Sequence, residues 1–282
     1  MKIGTLDITN CKIGSTQVNE VRIGSTLVWQ FSSLDPDAQA FITAAAITNP
    51  TQQTAINTLV VSLKANGIWT KMSAIYPFVG GTAASHKYNL KDPRDLDAAY
   101  RLLFSGGWTH NSNGVTGNKI NTFAQTFLNY TTLNSGHQSL YSRSNIVETV
   151  ATYDMGAFSG GNTWQLLSLY SQANLLIGGF NSDSQPRSTL PNSSGLFVNN
   201  RTASNAANLW RNGTKLIQST QITSAIPNRN IYIGACNISG TFTLPSSKNF
   251  AFASIGDGLT DIEASNFYTA VQTFNTTLGR QV

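Results

Sequence analysis

Charge is what this chain lacks most. Asp, Glu, Lys and Arg together make 11% of its 282 residues, against a usual share of about 25%. Ser, Thr and Asn outnumber them nearly three to one. A surface of hydroxyls and amides suits an extracellular β protein rather than a cytosolic helical enzyme. The net charge of +5 comes from few acids, not from a basic cluster. No run of Lys or Arg offers a nucleic-acid footprint. Two cysteines, Cys11 and Cys236, lie far apart and fit no CxxC spacing. The chain therefore does not read as a disulfide-stapled domain, and two free, half-buried thiols are expected. No apolar run reaches the length of a membrane span, so no membrane insertion is expected. No signal peptide is expected, since Met1-Lys2-Ile3-Gly4 leads straight into a repeat. The expectation is a protein made in a cytoplasm but surfaced for the outside, as a virion component released by lysis is.

Catalytic groups are scarce as well. The three glutamates are Glu20, Glu148 and Glu263. Glu148 and Asp154 would share a strand face about 20 Å apart, whereas a retaining glycosidase needs its carboxyls about 5–5.5 Å apart. The three histidines, His86, His110 and His137, sit near no Gly-x-Ser-x-Gly elbow and at no metal-ligand spacing. No enzyme and no cofactor is expected. Asp183 and Asp257 lie in loops able to supply oxygen ligands, but no EF-hand pattern accompanies them, and metal binding stays open. Six Asn-x-Ser/Thr sequons, Asn129 and Asn212 among them, follow from composition.

What the chain does have is a repeat. Its first thirty residues align in blocks of ten as KIGTLDITNC, KIGSTQVNEV and RIGSTLVWQF, with Ile3, Ile13 and Ile23 in register. Such copies are usually units that cannot bury a face alone. Short and β-branched, each predicts one strand with a Gly turn or bulge. A thin layer of this kind has open edges that need partners. Residues 1–33 therefore read as an assembly or anchor segment built on Ile3, Ile13 and Ile23. The alternative is a plain meander.

After the Ser32-Ser33 hinge, Asp35-Pro36 and Asn49-Pro50 start two helices, about 35–48 and 50–65. Ile56, Leu59, Val60 and Leu63 form one apolar face, and Asn66-Gly67 closes the hairpin. This gives a helical-hairpin unit at 34–68. Residues 69–79 predict a strand. From Tyr100 the texture is all-β, with strands expected at 100–105, 122–128, 138–143, 147–154, 163–170, 174–180, 195–199, 207–211, 214–218, 230–235 and 249–254. Asn212-Gly213 predicts a type I′ hairpin, Gly160-Gly161-Asn162 a second turn, and 181–194 a long exposed loop. Thr260 and Glu263 form a capping box opening a final helix, expected to cover a sheet end or edge.

Two segments carry a resemblance. Residues 35–110, including YPFVGGTAASHKYNLKDPRDLD, resemble a block of tailed-phage virion proteins of the tail-fibre or minor structural kind. NLWRNGTKL, NIYIGACN and FAFASIGDGLTDIEASNFYTAV resemble the last strands and final helix of concanavalin A-like, laminin-G-like jelly rolls of the lectin and glucanase type. The resemblance implies a mainly β chain: an N-terminal β repeat, a helical hairpin, and a concanavalin A-like jelly-roll sandwich over 69–282 with its C-terminal helix. It also implies a phage virion location, as a tail-fibre-like or capsid-surface appendage. Partners would be other virion proteins, sister chains in a trimer, and a host-surface glycan. A virion-borne glycan hydrolase and a decoration protein without ligand are the rival readings. Glycan contact needs aromatic faces beside polar groups. The pairs present are Trp108 with His110, Tyr141 with Arg143, and Trp164 with Gln165, each Trp having core packing as its alternative.

Overall fold

The computed structural model describes residues 2–3, 6–7, 12–13, 15–17, 20–30, 34–146, 150–159, 164–171, 175–182 and 185–282. It divides into two compact units, Met1–Asp35 and Pro36–Val282. The expected turn at Gly160–Asn162, together with Cys11, Glu148 and Asp183, lies outside the described residues.

In the first unit the repeat folds differently from expectation. Each copy is a hairpin rather than a single strand. β1 (Lys2–Ile3) pairs antiparallel with β2 (Leu6–Asp7), β3 (Lys12–Ile13) with β4 (Thr16–Gln17), and β5 (Glu20–Ile23) with β6 (Thr26–Gln30). The reason lies in the Ile-Gly step. Ile23 pairs with Thr26, leaving only Gly24 and Ser25 to turn the chain, and Gly24 takes φ +60°. A two-residue loop closes a hairpin. Ile23 is left 73% exposed.

The second unit opens with α1 (Pro36–Ala44) and α2 (Pro50–Ala65). The Asn49 side chain accepts the Gln52 amide proton at 3.0 Å, the expected cap. A tight turn at Trp69–Lys71 replaces the start of the predicted strand, which shrinks to β7 (Met72–Tyr76). The rest is α3 (Ala83–His86), β8 (Leu103–Ser105), β9 (Thr109–Asn111), β10 (Gly114–Thr116), β11 (Phe123–Asn129), β12 (Gly136–Ser142), β13 (Met155–Phe158), β14 (Trp164–Ser171) and β15 (Leu175–Ser182). There follow β16 (Arg187–Thr189), β17 (Gly195–Ala203), β18 (Ala206–Arg211), β19 (Thr214–Ser219), β20 (Asn230–Ile233), β21 (Cys236–Ile238), β22 (Thr241–Thr243), β23 (Asn249–Gly256) and α4 (Asp261–Thr277).

These strands form two sheets of a jelly-roll-like sandwich. The first runs β19-β18-β17-β12-β23-β10-β9, with β7 sharing one edge of β23 with β10. The second runs β16-β15-β14-β13-β20-β11-β8, with β21 parallel to β13 and β22 beside β21. Leu140, Phe197 and Phe250 of the first sheet and Met155, Leu176, Phe180 and Ile233 of the second belong to one buried core. The outer face of the first sheet is covered too. Phe252 meets Phe267 and Phe274 of α4 at ring distances of 6.0 and 6.3 Å, and α4 packs on α2. So α4 covers a sheet face, not the end or edge expected. With cover on both sides, β12 is buried along its whole length.

Three other expectations change. A strand was expected at 147–154, but β13 starts at Met155, and the described residues 150–154 lead into it as irregular chain. The polar run 181–194 is not all loop, because Arg187–Thr189 pairs with β15 as an edge strand. Cys236 is fully buried, and burial pushes its thiol pKa up. Asn212 and Gly213 take φ +48° and +73°, the type I′ turn the sequence predicts.

The C-terminal segment is part of the interior. Arg280 is 1% exposed. Its guanidinium donates to the carbonyls of Pro77, Phe78 and Ala251 at 2.6, 2.9 and 2.8 Å, and to Asn275 Oδ1 at 2.9 Å. The second unit thus has its own core, caps and closure. A chain beginning at Leu34 is expected to melt in one cooperative transition by calorimetry. An insoluble product, or one without a transition, would show that this unit needs the repeat.

Candidate functional site

The sequence-derived aromatic and polar pairs do not converge. Trp108 and His110, two apart on β9 and its approach, do lie together with Phe104. The Trp108 ring meets Phe104 edge-on at 5.7 Å, and His110 meets it at 4.6 Å. Trp108 is half-buried and donates its indole N–H to Phe123 O at 3.2 Å. A Cβ on Gly234 would come within 2.4 Å of its ring, so the ring fills a packing seam. His110 Nδ1 lies 3.0 Å from His86 Nδ1. Because the Gly81 amide donates to His86 Nε2, His86 carries its proton on Nδ1 and donates it to His110.

Tyr141 is a correction. It is fully buried beneath α4, its hydroxyl donating to Gln272 Oε1 at 2.9 Å and accepting the Val282 amide at 2.9 Å. A strand covered on both faces cannot present this ring to a ligand. Arg143 donates to Arg280 O at 2.7 Å and serves the same C-terminal closure. Trp164 lies apart, half-buried, stacked on Phe158 at 4.0 Å. Ile3 and Ile13 lie in β1 and β3, and their side chains are outside the described residues.

A different place gathers polar groups. At one rim of the sandwich, a cleft of about 110 Å³ is lined by Ser73, Tyr100, Leu128, Asn129, Tyr130, Thr131, Thr132 and Asp257. Two backbone irregularities build it. β11 bulges between Gln125 and Asn129, with Phe127 at φ +55°. Tyr100 sits at φ +58°, held by its amide bond to Asp97 O at 2.9 Å and by Tyr76 Oη donating to its carbonyl at 2.7 Å. Bulky residues at positive φ store strain that surrounding contacts must sustain, and bulges re-aim side chains.

Two residues of the lining carry polar atoms that the fold leaves poorly satisfied. Asn129 Oδ1 is buried without a hydrogen-bond partner among the described residues, and Tyr130 Oη is buried with only a weak approach from the His137 backbone amide. Asn129 Nδ2 is held by Asn228 Oδ1 at 2.6 Å, which fixes the amide. The Tyr130 ring is wedged edge-on against Phe180 at 5.1 Å. Burial, then the nearby Asp257 charge, pushes its pKa up, so its hydroxyl keeps the proton and can donate.

Asp257 brings the cleft's one carboxylate, and its backbone is fixed from several sides. Its amide donates to Lys71 O at 2.7 Å. Its carbonyl accepts from His137 Nδ1–H at 2.7 Å. The next amide, Gly258, donates to Ser135 Oγ at 2.9 Å. Neither flanking glycine can carry a Cβ, which would come 2.3 Å from Lys71 O at Gly256 and 2.0 Å from Arg201 O at Gly258. His137 Nε2 accepts from Ser254 Oγ at 3.0 Å, completing a neutral imidazole, and burial lowers its pKa to about 4.

The cleft thus offers one carboxylate, a phenol donor, an amide acceptor, threonine hydroxyls and the Tyr100 ring. This is recognition chemistry for a hydroxyl-bearing molecule. The nearest signal in the sequence is Asp257 between two glycines after an apolar strand. The bulge that opens the cleft leaves none. Among the described residues no group of three or more His, Cys, Asp or Glu is placed to hold a metal ion.

No protein-family model and no curated protein matches the chain. Solved structures do. A mutant of Trypanosoma rangeli sialidase displaying trans-sialidase activity is similar at a TM-score of 0.52 and 12% identity, over 79% of this chain and 39% of that one. Domain 4 of AbnA, a GH43 extracellular arabinanase from Geobacillus stearothermophilus, is similar at 0.42 and 14%, over 70% and 98%. The CBM40 of Ruminococcus gnavus IT-sialidase gives 0.36 and 15%, over 47% and 82%. The chain spans about two fifths of the length of the sialidase, and that likeness is one of fold alone.

His137 makes the site pH-sensitive through stability. Its folded pKa of about 4 lies below the usual 6.5. Above pH 6.5 both states are neutral. As pH falls from 6.5 toward 4, the unfolded chain takes up a proton that the folded chain refuses, and stability is lost. His86, lowered to about 3 by burial and by His110, adds in the same direction. Urea titrations at pH 7.5 and pH 5 are expected to differ by about 2 kcal/mol per such histidine. His137→Gln is expected to remove about half of that difference. An unchanged pH slope in the variant would remove His137 from this account.

Proposed function

We propose that the chain is a non-enzymatic phage virion protein, an appendage of the tail-fibre or capsid-surface kind, whose sandwich contacts a host-surface glycan at the Asp257 rim cleft. The observation that carries glycan contact is the pair of buried polar atoms beside Asp257, Asn129 Oδ1 without a partner and Tyr130 Oη with only a weak one. Buried polar groups left without partners are costly, by about 1–3 kcal/mol each, and ligand hydroxyls satisfy a donor and an acceptor at once. The virion reading rests on the resemblance of residues 35–110 and on the charge-poor, hydroxyl-rich surface.

The same cleft supports the non-enzymatic reading. Its lining includes one carboxylate, whereas retaining hydrolysis takes two at about 5–5.5 Å. Asp257→Asn and Tyr130→Phe are each expected to weaken adsorption of the isolated protein to host envelope polysaccharide by about tenfold, near 1.4 kcal/mol, with melting temperature within a few degrees of the parent. Adsorption unchanged in both would place the contact elsewhere. Release of reducing sugar would favour the hydrolase reading, and no adsorption by the parent protein would favour a decoration protein.

The first unit takes the assembly role in this proposal. Three hairpins of two to five residues per strand bury too little to stand alone, and an Ile23 side chain 73% in solvent is an apolar surface left for a sister chain or another virion protein. Closed symmetry removes free edges, and a trimer is the expected order. Ile13→Asp with Ile23→Asp is expected to reduce the light-scattering mass to one subunit while the sandwich still melts cooperatively. Unchanged mass and normal virion incorporation would leave the repeat as a set of local hairpins.

A further inference from the structure

One charged pair is sealed inside the sandwich. Asp154, immediately before β13, and Lys248, immediately before β23, have side chains 0% exposed. β13 lies in the second sheet and β23 in the first, so the pair joins the approaches to both. Lys248 Nζ lies 3.3 Å from Asp154 Oδ1 and 3.4 Å from Oδ2. An ammonium–carboxylate hydrogen bond is normally about 2.7–2.9 Å. The two near-equal, longer separations place Nζ on the plane bisecting the carboxyl group, facing the group as a whole rather than one oxygen. Oδ1 is meanwhile taken by Ser246 Oγ–H at 2.5 Å. The Ser246 hydroxyl also accepts the Lys248 amide proton at 3.1 Å, so its position is fixed from both sides.

We propose that Lys248 and Asp154 are the partners of an intramolecular isopeptide bond that forms after folding. An ammonium and a carboxylate do not react with each other as they stand. Transfer of one proton from Nζ to Oδ2 gives a neutral amine and a neutral acid, the protonation states that can react. The Nζ lone pair attacks Cγ, and Ser246 Oγ–H stabilises the charge developing on Oδ1, as hydrogen-bond donors do in acyl transfer. One proton then passes from nitrogen to Oδ2, the Cγ–Oδ2 bond breaks, and water leaves. The C–N bond replaces a C–O bond with no oxidant, reductant or co-reactant. The fold contributes what an intermolecular reaction lacks, since nucleophile and electrophile are held side by side in a sealed site. The product is a covalent tie between the two sheets, near the starts of β13 and β23.

Intact-mass spectrometry of the full chain, denatured after folding, tests this. The expected mass is lower than that of the sequence by one water, about 18 Da, and proteolysis should yield one branched peptide joining the segments that hold Asp154 and Lys248. Lys248→Met and Asp154→Ala are expected to restore the unmodified mass, and Ser246→Ala to slow the loss of water after refolding. Folded parent protein that keeps its full sequence mass on prolonged incubation overturns the proposal. That reading is taken on the parent chain, so it stands even if a variant fails to fold.

Discussion

The fold depends on burial of β12 and β23 from both sides. One face of this strand pair closes the sandwich core, and the other lies under the aromatic face of α4. A strand buried on both faces cannot alternate apolar and polar residues, and β23 reads instead as NFAFASIG. Its polar members need internal partners. His137, Ser139 and Ser254 answer one another at 3.0 and 2.7 Å across the two strands. The same His137 holds the Asp257 carbonyl, so the packing that supports the sheet also sets the position of the cleft's carboxylate.

Much of this was legible in the sequence. Helix caps at Asn49 and Thr260, the type I′ turn at Asn212-Gly213 and the long strands follow from local chemistry, which acts over a few residues. The three-residue strands β9, β10, β21 and β22 were not legible, because three residues carry no period. The repeat showed its period but not its geometry. Whether an Ile-Gly step ends a strand or turns a hairpin depends on pairing, which composition does not encode.

The site was harder to read, for a different reason. Tyr141 and Trp108 have the composition of ligand-binding residues, yet α4 covers the first and Gly234 receives the second. Aromatic rings serve cores and ligands alike, and tertiary cover decides between the uses. The cleft, in contrast, is assembled from Ser73, Tyr100, the end of β11 and Asp257, segments up to 184 residues apart in sequence. No local pattern announces such a meeting, and the bulge at Phe127 that opens it has no turn residue to mark it.

Arg280 bears on how the chain reaches this state during synthesis. Its guanidinium takes carbonyls from Pro77, Phe78 and Ala251, so a group near the end of the sequence completes hydrogen bonds for a segment some two hundred residues earlier. A nascent chain from which residue 280 has not yet emerged cannot place that group. The early helices can form as they emerge, but the Pro77–Phe78 turn waits with bare carbonyls until residue 280 is free. Final closure of the first sheet therefore follows the synthesis of residue 280, and an emerging chain exposes the outer face of β12 until α4 and the segment after it arrive together.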